Sequence, residues 1–185
     1  MIRNDALPNK FTLYLRRLYY YFTNERFSKK FNYDWNKTQT RFEIINKIIL
    51  KKGFKSYLEI GCQSDVNFSK IIIDNKIGVD PQSGGTHRMT SDKFFLENKS
   101  TFDLIFIDGG HDYNTAESDL LNCKNLSHKN TIVIMDDTVY KKEMICEWNI
   151  GPTNVWKKAV EKKIIKEISK IEFDRGRGMS WGRYS

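Results

Sequence analysis

Cysteine is scarce in this chain, and no apolar run comes near the length of a membrane-spanning helix. Cys62, Cys123 and Cys146 are an odd number, far apart, without a CxxC pair. That argues against a disulfide framework or a zinc site and fits reduced thiols in a cytoplasmic protein. The opening MIRNDALPNK lacks the apolar core of a secretory signal, which carries the same expectation of location. There is no internal repeat and no low-complexity linker. Two phosphate-binding signatures are missing as well. No GK[ST] is present, so there is no P-loop, and the three-glycine dinucleotide pattern is absent.

What remains describes a globular chain. At 185 residues, with 39% hydrophobic and 29% charged residues, it is long enough for one domain with a sizeable core. The net charge of +8 is unevenly spread: residues 1–50 carry ten Lys/Arg against four Asp/Glu, residues 51–140 ten against thirteen, and residues 141–185 eleven against six. The basic excess lies in the flanks and the middle is mildly acidic. A nucleic-acid groove needs a basic stripe leading to its site, so solvated surface lysines account for the charge better.

Hydrophobic periodicity divides the chain. In residues 9–31, Phe11, Leu15, Leu18 and Phe22 recur at helical spacing with Tyr14 and Tyr21 alongside. This predicts an amphipathic N-terminal extension over residues 1–39 with an aromatic face. That face packs on the main domain or on a second subunit, or serves as a lid or membrane-surface helix. TRFEIINKIILKKG (40–53) predicts a helix closed by Gly53. Strands are predicted at 56–61, 76–81, 102–108, 131–137, 164–173 and 178–184. Helices are predicted at 67–75, 91–99, 113–127 and 155–163. Alternating strands and helices make a parallel α/β sheet with helices on both faces, closed by an antiparallel hairpin strand. Runs such as LIFI and IVIM suit strands buried on both sides.

The strand ends carry the chemistry. YLEIG, IGVDP, FDLIFID and TIVIMDD finish in Glu59-Ile60-Gly61, Asp80, Asp108 and Asp136-Asp137. In such a sheet ligands bind at the carboxyl ends of the strands, so these groups converge on one crevice. Gly61 lets backbone approach a ligand closely, and Asp80, about twenty residues on, is placed to accept ribose hydroxyls. Together they indicate a nucleoside-containing cofactor without requiring a pyrophosphate.

The pieces YLEIG, IGVDPQSGGTHRMTSDKFF, FDLIFIDGGHDY and DLLNCKNLSHKNTIVIMDD, with the tail VWKKAVEKK and FDRGRG, stand in family order over about residues 55–178. They resemble the class I S-adenosylmethionine-dependent methyltransferases, and within them the methyltransferase domain 24 group. The resemblance implies a Rossmann-like sheet of seven strands, mostly parallel with a reversed last strand, in a domain spanning residues 40–185. It implies S-adenosylmethionine as cofactor, with Glu59, Gly61 and Cys62 along the methionine moiety. Asp80 and Pro81 would lie at the ribose, Ser91 and Asp92 near the adenine, and Asp108 beside the sulfonium. The chain departs from the family where GCQSDVN replaces a glycine-rich loop; Asp65 or Asn67 could assist there.

The chain is similar, more distantly, to the catechol and macrocin O-methyltransferases. That similarity implies Asp108, Asp136 and Asp137 as Mg²⁺ ligands, an all-oxygen set of the kind Mg²⁺ prefers. It implies His111, three residues after Asp108, as the general base. Asp136-Asp137 could equally cap a turn, and His111 could be structural. His87, His128 and Arg88 sit in loops and are weaker candidates. The leading expectation is O-methylation of a small molecule or of a sugar or glycan hydroxyl, by an enzyme able to dimerise through its N-terminal aromatic helix. Two alternatives stay open. One is a non-catalytic module that binds cofactor through a degenerate loop. The other is a nucleic-acid methyltransferase, against which stand the acidic middle and the missing N/DPPY motif.

Overall fold

The computed structural model describes residues 39–139, 149–172 and 178–185, together with five helix positions, Phe11, Tyr14, Leu15, Leu18 and Phe22. Most of the predicted N-terminal extension, Cys146 and most of the DRGRG turn lie outside the described residues.

The first described element with full boundaries is α1 (Arg41–Lys52). The N–H of Thr40 donates to Glu43 Oε2 at 2.6 Å, which starts the helix. Gly53 ends it at φ 64, a left-handed conformation that glycine adopts without a Cβ penalty. β1 (Ser56–Ile60), β2 (Asn75–Val79), β3 (Phe102–Ile107) and β4 (Ser127–Met135) follow, with α2 (Ser91–Glu97) between β2 and β3 and α3 (Tyr113–Cys123) between β3 and β4. α4 (Ile150–Glu161) leads to β5 (Ile165–Glu172) and β6 (Gly178–Tyr184). The sheet order is β2-β1-β3-β4-β6-β5. The first four strands are parallel, with Leu58 beside both Ile77 and Ile105. β6 runs antiparallel to both β4 and β5, with Ile134 opposite Trp181. This is the Rossmann-like sheet with reversed closing strand expected from the sequence.

Alternation along the buried strands sorts side chains onto two faces. Leu58, Ile60, Ile105, Ile107, Val133 and Met135 meet Phe94 of α2, Ala116 and Leu120 of α3, and Val155 and Trp156 of α4. On the other face Tyr57, Leu104, Phe106, Ile132 and Ile134 meet Ile44, Ile45 and Ile49 of α1, with Phe68 and Ile71 beside them. Two buried layers therefore hold the strands from both sides, and the strand ends are fixed relative to one another.

Two expectations are corrected. Residues 67–75 form no helix beyond a single 3-10 turn at Phe68–Lys70. The β-branched run Ile71-Ile72-Ile73 resists helix, and Ile71 is extended, at φ -75 and ψ 121. Lys76 Nζ closes the turn by donating to the carbonyls of Phe68 and Ile71, each at 2.9 Å. The sheet has six strands among the described residues, as the apolar runs indicated, and not the seven of the resemblance. Beyond β2 the edge is reduced to one parallel bridge, Val79 with His87. The glycine-rich QSGGT stretch offers too little side chain to extend it. Among the described residues no helix is long and apolar enough to cross a membrane.

Candidate functional site

The carboxyl ends of β1, β2 and β3 open into a cleft of about 670 Å³, within the range of roughly 300–1,000 Å³ usual for small-molecule sites. Glu59, Gly61, Cys62, Asp80, Pro81, Ser91, Asp92, Asp108 and His111 all line it. The convergence expected from sequence is therefore present for every one of these residues. Asp136 lies against a small cavity shared with Asp108 and His111, and Asp137 follows it in the chain.

The floor is built by the turn after β1. Gly61 has φ 87, and a Cβ placed there would stand 2.1 Å from the carbonyl oxygen of Asp108. Only glycine fits, and the backbone is thereby open to a ligand. Behind it Glu59 is buried, accepting from Tyr57 Oη at 2.5 Å and from Asn67 Nδ2 at 2.9 Å. Burial raises its carboxyl to about 7, against the pull of those two donors and of Arg41. Cys62 is 4% exposed, and burial pushes its thiol up. It fills space behind the turn and is no nucleophile.

The departure from a glycine-rich loop has a structural answer. Gln63 and Asp65 adopt φ 46 and 61, the left-handed region that glycines would otherwise occupy. The strain is held by cross-links to the loop after β2. Asp65 Oδ1 accepts from Gly85 N at 2.7 Å, and Ser83 Oγ donates to the Gln63 carbonyl at 2.9 Å. Asp80 joins the two loops: Oδ2 accepts from Gln63 N, and Oδ1 from Gln82 N and Ser83 N, each at 2.8 Å. Burial works to raise Asp80, but these three amides outweigh it and hold the carboxyl below its usual range. Oδ2 has one donor and lone-pair capacity left for a ribose hydroxyl.

At the other end of the cleft Ser91 and Asp92 open α2, with Thr90 Oγ1 as the N-cap acceptor. Asp92 Oδ1 accepts from Ser118 Oγ at 3.3 Å. Asp119 lies beside them, almost fully buried, with Oδ1 lacking a hydrogen-bond partner. Burial lifts its carboxyl to about 6. Sequence reading missed Asp119, although Ala116, Asp119, Leu120 and Cys123 share helical spacing and mark it as facing inward.

The acidic end gathers Asp108, Asp136 and Asp137, whose oxygens lie within 4.8 Å of one another. Asp137 has φ 53, a region that non-glycine residues seldom enter and that clusters at functional sites. His111 Nδ1 lies 3.4 Å from Asp137 Oδ2. Burial lowers the imidazole below its ordinary 6.5, with Asp136 pulling the other way. The ring is therefore neutral at pH 7. Sequence reading also missed Arg41. Its Nη1 donates to Asp108 Oδ2 at 2.6 Å and to Asp136 Oδ2 at 2.5 Å. Burial opposes the guanidinium charge, yet Asp136 and Asp108 outweigh it and hold the proton more firmly than usual. For Asp108, burial and Asp136 push the carboxyl up while Arg41 pulls it back.

A divalent ion was expected on these three carboxylates. They suit Mg²⁺ in donor type, and Asp136 Oδ1 is buried without a partner. The arrangement does not suit it, because Arg41 already contacts two of the three groups with a positive charge. His128 is accounted for elsewhere: its Nε2 pairs with Asp103 at 3.0 Å, away from the cleft. His87 bonds Thr86 Oγ1 at 2.8 Å.

Comparison with known proteins bears on the fold. A methyltransferase domain family, methyltransferase domain 24, matches residues 71–138, from the end of the 3-10 turn to the residue after Asp137. No curated protein matches the chain by sequence. Among solved structures, the O-methyltransferase from Bacillus cereus in complex with S-adenosylhomocysteine is 13% identical, with 96% of this chain and 92% of that chain covered and a TM-score of 0.57. TomG from Streptomyces achromogenes, an O-methyltransferase involved in tomaymycin synthesis and bound to S-adenosylmethionine, is 8% identical, covering 97% and 92%, at 0.61. The N-methyltransferase NodS from Bradyrhizobium japonicum is 13% identical, covering 78% and 94%, at 0.55. At these identities the likeness is one of fold, and that fold serves both oxygen and nitrogen acceptors.

Proposed function

We propose, from the premise that this chain is a class I S-adenosylmethionine-dependent methyltransferase by fold and by its central segment, that it methylates a hydroxyl of a small molecule, with a sugar or glycan as first candidate. The carrying observation is the position of His111: neutral at pH 7, at the cleft mouth, with Nδ1 toward Asp137. A neutral imidazole whose Nδ1 faces a carboxylate keeps Nε2 available to accept the proton of an acceptor hydroxyl.

S-adenosylmethionine, when bound, supplies an electrophilic methyl on a cationic sulfur. The residues suited to hold it are Glu59, Gly61, Cys62, Asp80, Pro81, Ser91, Asp92 and Asp108. Gly61 gives close backbone approach, and Asp80 offers a free lone pair to a ribose hydroxyl. Asp80, whose carboxyl is held below its usual range by three backbone amides, keeps negative charge in the cleft, which favours a cationic ligand there. With donor and acceptor held in line, positioning and removal of one proton are the main demands on the protein. A Mg²⁺ ion on Asp108, Asp136 and Asp137 would lower the acceptor's pKa. It would require Arg41 to leave Asp108 and Asp136.

A cytoplasmic setting belongs to this reading, supported by unpaired Cys62 and Cys123. So does a homodimer through the N-terminal helix, supported by Phe11 and Tyr14 at 68% and 57% exposure. The test of function is transfer of label from methyl-labelled S-adenosylmethionine to a panel of phenolic, catecholic, sugar and amine acceptors, with His111→Gln beside wild type. Label on a hydroxyl that depends on His111 supports the reading. Label appearing only on amines would sink the O-methyl assignment.

A further inference from the structure

Arg41 stands in an unfavourable place for a cation. It is the first residue of α1, at the helix end that carries positive partial charge. No benefit to the helix explains an arginine there. Its partners lie far off in sequence, Asp108 after β3 and Asp136 after β4, 67 and 95 residues away. One nitrogen, Nη1, reaches both. The guanidinium comes from the cleft side: the Arg41 side chain is 37% exposed, whereas that of Asp136 is 7% exposed. Asp137 adds a third carboxylate within the same cluster. Three carboxylates brought together beneath a crevice repel one another, and a counter-charge is needed for them to coexist ionised.

We infer that Arg41 is a tethered counter-ion occupying the cation position of the Asp108/Asp136/Asp137 cluster, so that its guanidinium and a divalent metal exclude one another. A metal in contact with Asp108 and Asp136 would bring its two charges against the arginine's one, on the same pair of oxygens. The unpartnered, buried Oδ1 of Asp136 marks the remaining unmet demand for positive charge or a donor at this point. Removal of the arginine charge leaves a hard, all-oxygen ligand set of the kind that takes Mg²⁺ or Mn²⁺. The protein as it stands therefore carries its own cation and binds divalent metal weakly. This inference is independent of methyl transfer, because metal binding is read with neither methyl donor nor acceptor present.

Mn²⁺ titration followed by electron paramagnetic resonance, on the full chain, tests it. Wild type, Arg41→Lys and Arg41→Gln are compared, with Asp136→Asn added to Arg41→Gln as the site control. Arg41→Gln is expected to bind Mn²⁺ at least about tenfold more tightly than wild type, the order expected when a competing charge is removed from a charge-selective site. Arg41→Lys should stay near wild type, and Asp136→Asn should abolish the gain. Equal affinity in wild type and Arg41→Gln overturns the inference. So does a gain that survives Asp136→Asn. If Arg41→Gln is poorly folded, thermal melting in EDTA and in Mn²⁺ decides the matter. Recovery of the wild-type midpoint with Mn²⁺ supports a cation site, and a midpoint that Mn²⁺ does not move overturns it.

Discussion

The backbone of Gly61 and the carbonyl of Asp108 lie so close that a single added Cβ would fall 2.1 Å from the oxygen. This contact joins the ends of β1 and β3 at the floor of the cleft, beside the Asp108 N–H bond to the Ile60 carbonyl at 2.8 Å. Gly61→Ala meets both the clash and the left-handed φ of 87. It should destabilise the protein by about 2 kcal/mol or more and abolish S-adenosylhomocysteine binding. Urea unfolding and ligand dialysis on the same preparation check the two effects.

The buried carboxyl of Glu59 predicts a pH-dependent stability. Its folded pKa of about 7 lies above the unfolded 4.5. The folded state therefore holds the proton more tightly between these values. Stability from this group is complete below pH 4.5, falls as pH rises through 4.5 to 7, and is flat above. The full swing is roughly 3 kcal/mol. The difference between wild type and Glu59→Gln across pH 4 to 8 isolates it from the opposite contributions of Asp80 and Asp103, whose carboxyls lie below the usual range. A difference that does not change with pH would show that Glu59 has the same pKa in the folded and unfolded chain.

His111 predicts the shape of the rate profile. With its pKa lowered by burial, the active neutral form already predominates by pH 6.5. The acid limb of kcat/KM should rise through a single ionisation below that pH. His111→Gln should lose about 10²- to 10⁴-fold in kcat and keep its affinity for S-adenosylhomocysteine. His128→Gln, whose ring pairs with Asp103 outside the cleft, should leave kcat unchanged. Equal losses in both variants would point to damage of the fold and not to base catalysis.

The two-loop staple predicts how the non-standard turn works. Asp65→Ala removes the acceptor for Gly85 N and should cost about 1 kcal/mol of stability, with weaker cofactor binding as the turn loosens. Replacing Gln63 by glycine, which accepts φ 46 without penalty, should leave the fold intact. Denaturation midpoints of the two variants give the comparison.

The strand ends were legible because buried parallel strands read as unbroken apolar runs, and the residues that stop them are the ones facing the crevice. Asp80, Asp108 and the Asp136-Asp137 pair declared themselves in this way. The 67–75 segment did not, since three successive isoleucines suit a buried helix by hydrophobicity and an extended chain by their branching. The reduced seventh strand was equally hidden, because one bridge at His87 leaves no periodic trace. In the sequence Arg41 marks only the start of a helix. Periodicity reports which face a residue occupies, and a side chain reaching 95 residues ahead to Asp136 leaves no local pattern. Asp119 lay within reach of the same reasoning, since it breaks an otherwise apolar inward stripe.

Equilibrium dialysis of the full chain against labelled S-adenosylmethionine, in EDTA, tests the central claim most directly. The cleft at the ends of β1, β2 and β3 should bind one equivalent, saturably, displaced by S-adenosylhomocysteine and lost in Gly61→Ala. Absence of saturable binding by the folded wild-type chain would contradict the account and leave the fold without the methyl donor proposed for it.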